Sequence, residues 1–315
     1  MLDSSKRRVS VLDLGIVIVN YNTREDLARC LDSIAANKGL DRYTVVVVDN
    51  GSQDGSVEMV REGHPWVRLL VSERNGGYAY ANNLGLESLG YAQRQPTALP
   101  RYALLLNPDT ILPPDALQTM VAYMDAHPGV GVAGPRLVRL DGSLDRACRR
   151  GFPTPSVSFY HLVGLARLFP HSPRLGRYNM TYLDEHVETE VDAVVGAFML
   201  MRSEALEQAG LLDETFFMYG EDLDLCYRIK QDGWRIQYYP RVTVLHVKGA
   251  SSRKNSLRAT MAFYDAMKIF HDKHYRAESP FVVNWAVDLG VTFLRAKALL
   301  SNRLCPPERR RVASA

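Results

Sequence analysis

Val45-Val-Val-Val-Asp-Asn-Gly-Ser52 is the stretch on which the fold turns: four consecutive valines run into a carboxylate and a glycine-containing turn. β-branched side chains favour extended backbone, and four without polar alternation fit a strand buried on both faces. The pattern recurs on either side. Gly15-Ile-Val-Ile-Val-Asn20 precedes it, and 67–71 and 103–106 follow, the last stopped by Asn107-Pro108. Between these runs the period changes. Leu27, Leu31 and Ile34 recur at helical spacing behind Thr23 as N-cap, and helices are expected over 56–62 and 77–89. The order β-α-β-α-β-α-β implies a parallel sheet covered on both faces. Ligands bind such sheets at the carboxyl ends of the strands. The polar groups there are Asn20-Tyr21-Asn22, Asp49-Asn50, Asn75-Gly76-Gly77 and Asn107-Pro108-Asp109.

The second half is less regular. A strand is expected over 194–201, a helix over Glu221–Gln231, a strand over 242–245 ending at His246, and helices over Ser256–His274 and 281–300. The stretch 149–183, rich in Pro, Gly, Arg and aromatics, reads as loop and short helix. At 315 residues, 46% hydrophobic and 23% charged, the chain has globular composition. Its net charge of +3 neither calls for nor excludes nucleic acid, and none is expected. From Arg295 onward six basic residues stand against one acid, Glu308, for a net +5. Such a run is either solvated or in contact with anionic lipid, where each cation adds roughly 1 kcal/mol. The apolar face Val282, Trp285, Ala286, Leu289 and Phe293 fits docking at the inner membrane face or core packing, and both readings stay open. Cys30, Cys148, Cys226 and Cys305 form no C-x-x-C pair, so the expectation is reduced thiols in a cytoplasmic protein. The apolar run 15–19 is too short for a signal-peptide core, and Asp288 interrupts the nearest approach to a membrane span.

Four constellations carry candidate chemistry. Asn107-Pro108-Asp109 holds a carboxylate at a strand end, suited to Mg²⁺ or Mn²⁺, although the same tripeptide is a common turn. Asp49 can accept the imide N–H of uracil or thymine, or simply cap the turn after its strand. In Asp213 to Arg228, acids fall among aromatics ahead of a helix. Some suit its first turn, and one in an apolar cleft would make a general base. His246 is followed by a Gly/Ser loop carrying Lys248, Arg253 and Lys254, which can close over a diphosphate.

Taken in order, these segments resemble the family-2 inverting glycosyltransferases with a GT-A fold, most closely their rhamnosyltransferase-like branch. The resemblance rests on Val17 to Asn22, Val47 to Ser52 with Asp54-Gly55-Ser56, Asn75 to Asn83 with Gly85, Leu106 to Asp109, Gly196 to Met199, Asp213 to Arg228, and His246. It implies a mixed, mostly parallel sheet with helices on both faces. The transferase domain would span 1–254, with a nucleotide-binding half over 12–135 and an acceptor half over 136–254. A helical extension with a basic tail would occupy 255–315. Tyr21, Asn22 and Asp49 would hold the nucleoside. Asn75, Gly77, Asn107 and Gly196 would sit beside the donor, with Lys248 and Arg253 over its diphosphate. Asp109 and His246 would hold Mg²⁺ or Mn²⁺, Asn107 replacing the first acid of the family's D-x-D motif. Asp222 would be the catalytic base, with Glu221 and Asp224 as runners-up.

The implied reaction is one inverting displacement from a dTDP-sugar, dTDP-rhamnose first, or from a UDP-sugar. The acceptor would be a growing cell-surface glycan on a lipid carrier, with 149–183 as its loop. The enzyme would be cytoplasmic, with peripheral contact at the inner membrane face through the basic C-terminus. No glycine follows the first strand, which removes the G-x-G-x-x-G of a nicotinamide dehydrogenase and the basic Gly-rich loop of a sugar nucleotidyltransferase. A non-catalytic nucleotide-sugar-binding subunit is the rival from another class. It would have no need to keep Asp109, Asp222 and His246 together.

Overall fold

The computed structural model describes residues 12–93, 99–247 and 256–304. Its first half alternates strand and helix: β1 (Leu14–Asn20), α1 (Arg24–Ala35), β2 (Tyr43–Asp49), α2 (Ser56–Gly63), β3 (Arg68–Val71), α3 (Tyr78–Ser88) and β4 (Tyr102–Leu106). Then come β5 (Thr110–Ile111), α4 (Ala116–Ala126), β6 (Val130–Val138), a 3-10 turn at Arg146–Cys148, α5 (Pro155–Leu162), α6 (Leu165–Leu168), β7 (Thr189–Glu190) and β8 (Phe198–Arg202). The chain continues through α7 (Ser203–Ala209), α8 (Glu221–Gln231), β9 (Arg235–His246), α9 (Ser256–His274) and α10 (Phe281–Leu304).

All nine strands join one sheet in the order β3-β2-β1-β4-β8-β6-β9-β5, with β7 paired to β9. β3, β2, β1 and β4 run parallel, and the valines of β2 are buried on both faces as the apolar run requires. β8 then enters antiparallel between β4 and β6, so the sheet is mixed. The expected strand 194–201 starts later, at Phe198, because Gly196 and Ala197 turn into the site. The expected strand 242–245 is the end of a twelve-residue β9 whose pairing with β6 is interrupted by a register shift after Pro135. Thr23 occupies the N-cap position of α1 but makes no cap bond there; its hydroxyl donates to Asn20 Oδ1 at 2.7 Å.

Three thiols among the described residues, Cys30, Cys148 and Cys226, are free and buried. Burial pushes each of them up to about 12. No helix among the described residues is long and apolar enough to cross a membrane.

α9 shares the core of the sheet domain, with Ala266 and Phe270 buried in it. Its last turn is held by Asp224 of α8, which is fully buried and meets His274 Nε2 at 2.7 Å and Lys273 Nζ at 2.8 Å as well as Arg228 Nε at 2.9 Å. Burial alone would raise the Asp224 carboxyl, but the bonds from His274 and Lys273 and the charges of Arg228 and Lys273 outweigh it and lower it to about 2. A depressed carboxylate adds stability above its ordinary value of 3.8, and that contribution is lost as pH falls from there through about 2. Urea unfolding followed across this window should lose about 2 kcal/mol on acidification, from a shift of about two pH units. Asp224→Asn should flatten that part of the profile, and an unchanged acid slope would refute the assignment.

Candidate active site

The carboxyl ends of β1, β2 and β4 and the segments leading into α3, β8 and α8 converge on a cavity of about 1470 Å³. α5 and the α9–α10 pair wall its far end. One residue ties three of these segments together. The Tyr78 hydroxyl donates to the Gly196 carbonyl at 2.9 Å, and its N–H donates to the Phe217 carbonyl at 2.8 Å. Gly77, just before it, has φ +99°, and a Cβ there would lie 2.4 Å from the Phe217 oxygen. Only glycine tolerates both the dihedral and the close backbone.

Where β1 and β2 end, Tyr21 lines the cavity and Asp49 does not. Asp49 is 1% exposed, accepting from Ser52 N–H at 2.8 Å and Asn20 Nδ2 at 2.9 Å. It pins the turn after β2 to the end of β1, the capping alternative left open by the sequence. Asn50 takes the cavity position instead. Its amide donates to Asn75 Oδ1 and the Gly77 carbonyl, each at 3.1 Å, and accepts from Gly76 N–H at 3.1 Å. Asn22 sits outside the lining, with φ 54° and Oδ1 accepting from Gln53 N–H at 2.8 Å. Lys248 and Arg253 lie outside the described residues.

Asp109 and His246 meet as expected, with Oδ1 and Nε2 3.3 Å apart. Register brings them together: β5 follows Asp109 directly, and Thr110 pairs with His246. His246 Nδ1 lies 2.9 Å from Asp145 Oδ2, and Asp145 is 1% exposed. A metal-binding imidazole characteristically donates its second N–H to a carboxylate, which fixes the ring and the tautomer. The arrangement fits a divalent cation with mixed oxygen and nitrogen donors. Two protein side chains leave most coordination positions to substrate phosphates and water, and no larger cluster of acids, His or Cys forms among the described residues. Without a cation, burial would lower His246, yet its bonds to Asp109 and Asp145 and their charges hold it up at about 9.

Asp222 lines the same cavity and is buried. Its Oδ2 accepts from Arg150 Nη2 at 2.6 Å and from Gly196 N–H at 3.1 Å, and its Oδ1 from Leu223 N–H at 2.7 Å. A carboxylate held by a guanidinium and two backbone N–H groups is fixed in direction. Glu221, alongside it, is raised by burial and by the Asp222 charge. Asp224 faces α9 and not the cavity, which removes one runner-up. Asn107 Oδ1, Arg150 Nε and Glu221 Oε2 are buried with no hydrogen-bond partner, and all three belong to cavity residues. Such atoms are costly unless a ligand meets them.

Asp145 and Arg150 were not singled out from the sequence, and Asn50 and Tyr78 were named only within longer segments, with no role of their own. Asn50 stands next to a more conspicuous acid. Asp145 lies in a Gly/Ser turn region, and Arg150 in the irregular stretch. Arg150 reaches the site through an antiparallel bridge to Ala193, which no local pattern announces.

The sequence profile of the family described as Glycosyltransferase like family 2 matches residues 13–263. The chain is 31% identical over 265 residues to an N-acetylglucosaminyl-diphospho-decaprenol L-rhamnosyltransferase of Mycobacterium tuberculosis, covering 83% of this chain and 85% of that one. It is 24% identical over 292 residues to the rhamnosyltransferase WbbL of Escherichia coli K12, covering 91% and 95%. A mannosyltransferase from Pyrobaculum calidifontis, solved with GDP-Man and Mn²⁺, superposes with TM-score 0.54 at 19% identity over 93% of this chain and 74% of that one. S. aureus TarS superposes with TM-score 0.53 at 15% identity over 89% of this chain, which spans 43% of that protein. At these identities the structural likeness speaks for the GT-A fold. With the profile spanning most of its length and the rhamnosyltransferase likeness spanning most of both chains, this protein belongs to glycosyltransferase family 2, on its rhamnosyltransferase-like branch.

Proposed function

We propose that the chain transfers one sugar, with inversion, from a nucleoside diphosphate to a hydroxyl of a lipid-linked glycan, with dTDP-rhamnose the first choice of donor. The observation that carries this reading is the presence of two kinds of group in one cavity: Asp109 with His246, and Asp222, oriented by Arg150 and Gly196. A binding-only subunit has no use for a carboxylate pinned by three donors in a substrate cavity. The rhamnosyltransferase relatives favour the deoxysugar, and the acceptor in the mycobacterial relative's name, a diphospho-decaprenol-linked sugar, favours a lipid carrier.

Tyr21, Asn50 and Asn75 face the nucleoside. Asp109 and His246 hold Mg²⁺ or Mn²⁺, which when bound supplies positive charge to the departing diphosphate. Asp222 takes the proton from the acceptor hydroxyl as that oxygen bonds to the anomeric carbon. The bond from that carbon to the diphosphate oxygen breaks on the opposite side, and nucleoside diphosphate leaves. Gly196 N–H and Arg150 keep the Asp222 oxygens in place, so orientation is set before the acceptor arrives. A retaining path would need a nucleophile in addition to this base.

The donor is tested by nucleoside-diphosphate release from dTDP-, UDP- and GDP-sugars with Mg²⁺ or Mn²⁺. Slow hydrolysis of dTDP-rhamnose, abolished by a chelator, is the expected result. Turnover confined to a UDP-sugar would overturn the choice of donor, and turnover unaffected by the chelator would overturn the metal role of Asp109 and His246. The base is tested by Asp222→Asn. Its amide can still accept from Arg150, so donor affinity should stay within about threefold. Turnover should fall at least about 10²-fold, the usual contribution of a positioned proton acceptor. Unchanged turnover would eliminate Asp222 and pass the role to Glu221.

A further inference from the structure

α10 turns polar side chains toward α9 and the turn after it: Asp288 accepts from Lys268 at 2.7 Å and Arg276 at 2.8 Å, Asn284 meets His271 at 2.8 Å, and Arg295 meets Asp265 at 2.5 Å. Val291 is buried on that side, but the row of large apolar side chains opposite is left outside. Phe281, Val282, Trp285, Leu289 and Phe293 are exposed, Trp285 at 57% and Phe293 at 68%. A helix on a globular surface normally does the reverse, so the core-packing alternative for this face falls. A second apolar exposure flanks the same cavity, with Phe159 and Leu162 on α5, Val163 after it, and Leu168 and Phe169 at the end of α6. The cavity itself continues from Asp222 out to Val287, Val291 and Leu294 on α10. Large apolar side chains exposed in numbers on elements that border one cavity mark an interaction site.

Charge identifies the occupant. Residues 151–183 contain Arg167, Arg174 and Arg177 and no acid. α10 carries Arg295, Lys297 and Arg303 against Asp288 alone; Lys268 and Arg276 neutralise Asp288 and Asp265 pairs with Arg295, which leaves Lys297 and Arg303 as the surplus. A second copy of the chain would set like charge against like. Aromatic and aliphatic groups bordered by cations suit an anionic bilayer.

We propose that the outward face of α10 and the α5–α6 segment dock on an anionic lipid bilayer, with the cavity opening onto it. This deepens the lipid-linked-acceptor reading above and rests on it. The acceptor's polar head would then reach Asp222 while its apolar tail runs along Val287, Val291 and Leu294. The surface differs from the basic tail, which lies beyond the described residues.

The full chain is floated with vesicles of phosphatidylcholine alone and of phosphatidylcholine mixed with phosphatidylglycerol, and donor hydrolysis into water is measured on the same samples. Binding to the anionic vesicles that weakens with salt is expected. Trp285→Ser with Phe293→Ser should cut partitioning at least about tenfold, since two large apolar side chains lose their burial. Neither residue lines the cavity, so water-dependent hydrolysis should be unchanged, which also certifies the fold. No preference for anionic vesicles, undiminished binding by the double variant, or a dimer that the same substitutions dissolve would each overturn the proposal. Donor hydrolysis without vesicle binding would sink the docking surface alone, whereas vesicle binding without hydrolysis of any donor would sink the transferase reading and leave the docking surface standing.

Discussion

Everything at the site depends on the antiparallel seam between β4 and β8. Leu106 pairs with Phe198, and one residue further on the Asn107 N–H donates to the Ala197 carbonyl at 3.0 Å. Antiparallel pairing sets the end of one strand beside the start of the next. The turn Asn107–Asp109, product of the first half of the chain, therefore meets Gly196, product of the second. A parallel β8 would have presented its other end and left Asp109 away from Gly196. From the seam the sheet grows through β6 to β9, and β9 returns His246 to Asp109 through its pairing with β5.

The Arg150–Asp222 pair is the second constraint. Both residues are buried, Asp222 at 6% exposed and Arg150 at 8%. A buried ion pair contributes little net stability against an apolar replacement, while removal of one partner costs about 3–5 kcal/mol. What the pair supplies is direction. Arg150 also donates to the Val194 carbonyl at 2.9 Å, so the guanidinium is fixed to the strand entry that carries Gly196. Asp222 is thereby referenced to the same backbone that adjoins the Asp109 turn.

The sheet was legible in the sequence because buried parallel strands leave an unmistakable trace: the valines of β2 and the Gly15–Asn20 run admit no other placement. β6 and α4 left no comparable mark. Val130–Val138 is broken by two glycines and a proline, and pairing with two neighbours overrides those local preferences. That Asp109, Asp222 and His246 share one cavity was legible, since each stands at or next to the end of an element. The site was not legible where adjacency across the sheet decides. Asp49 and Asn50 are consecutive, and the direction each faces follows from the alternation of the strand and its pairing with Asn20, not from the chemistry of either side chain. Arg150 and Asp145 were beyond reach for the same reason, since their partners Ala193 and His246 lie far along the chain.

The three buried thiols have a consequence of their own. A thiol reacts as thiolate, and Cys30 on α1, Cys148 in the 3-10 turn and Cys226 on α8 are held protonated and out of solvent. An alkylating reagent therefore reaches each one only when its own neighbourhood opens. Cys30 reports on the packing of α1 against the Asn107–Thr110 turn, Cys148 on the segment that carries Asp145, and Cys226 on the helix that carries Asp222. Among the described residues these are three native clocks for local unfolding, and their relative rates would rank the units of the fold around them without any engineered label.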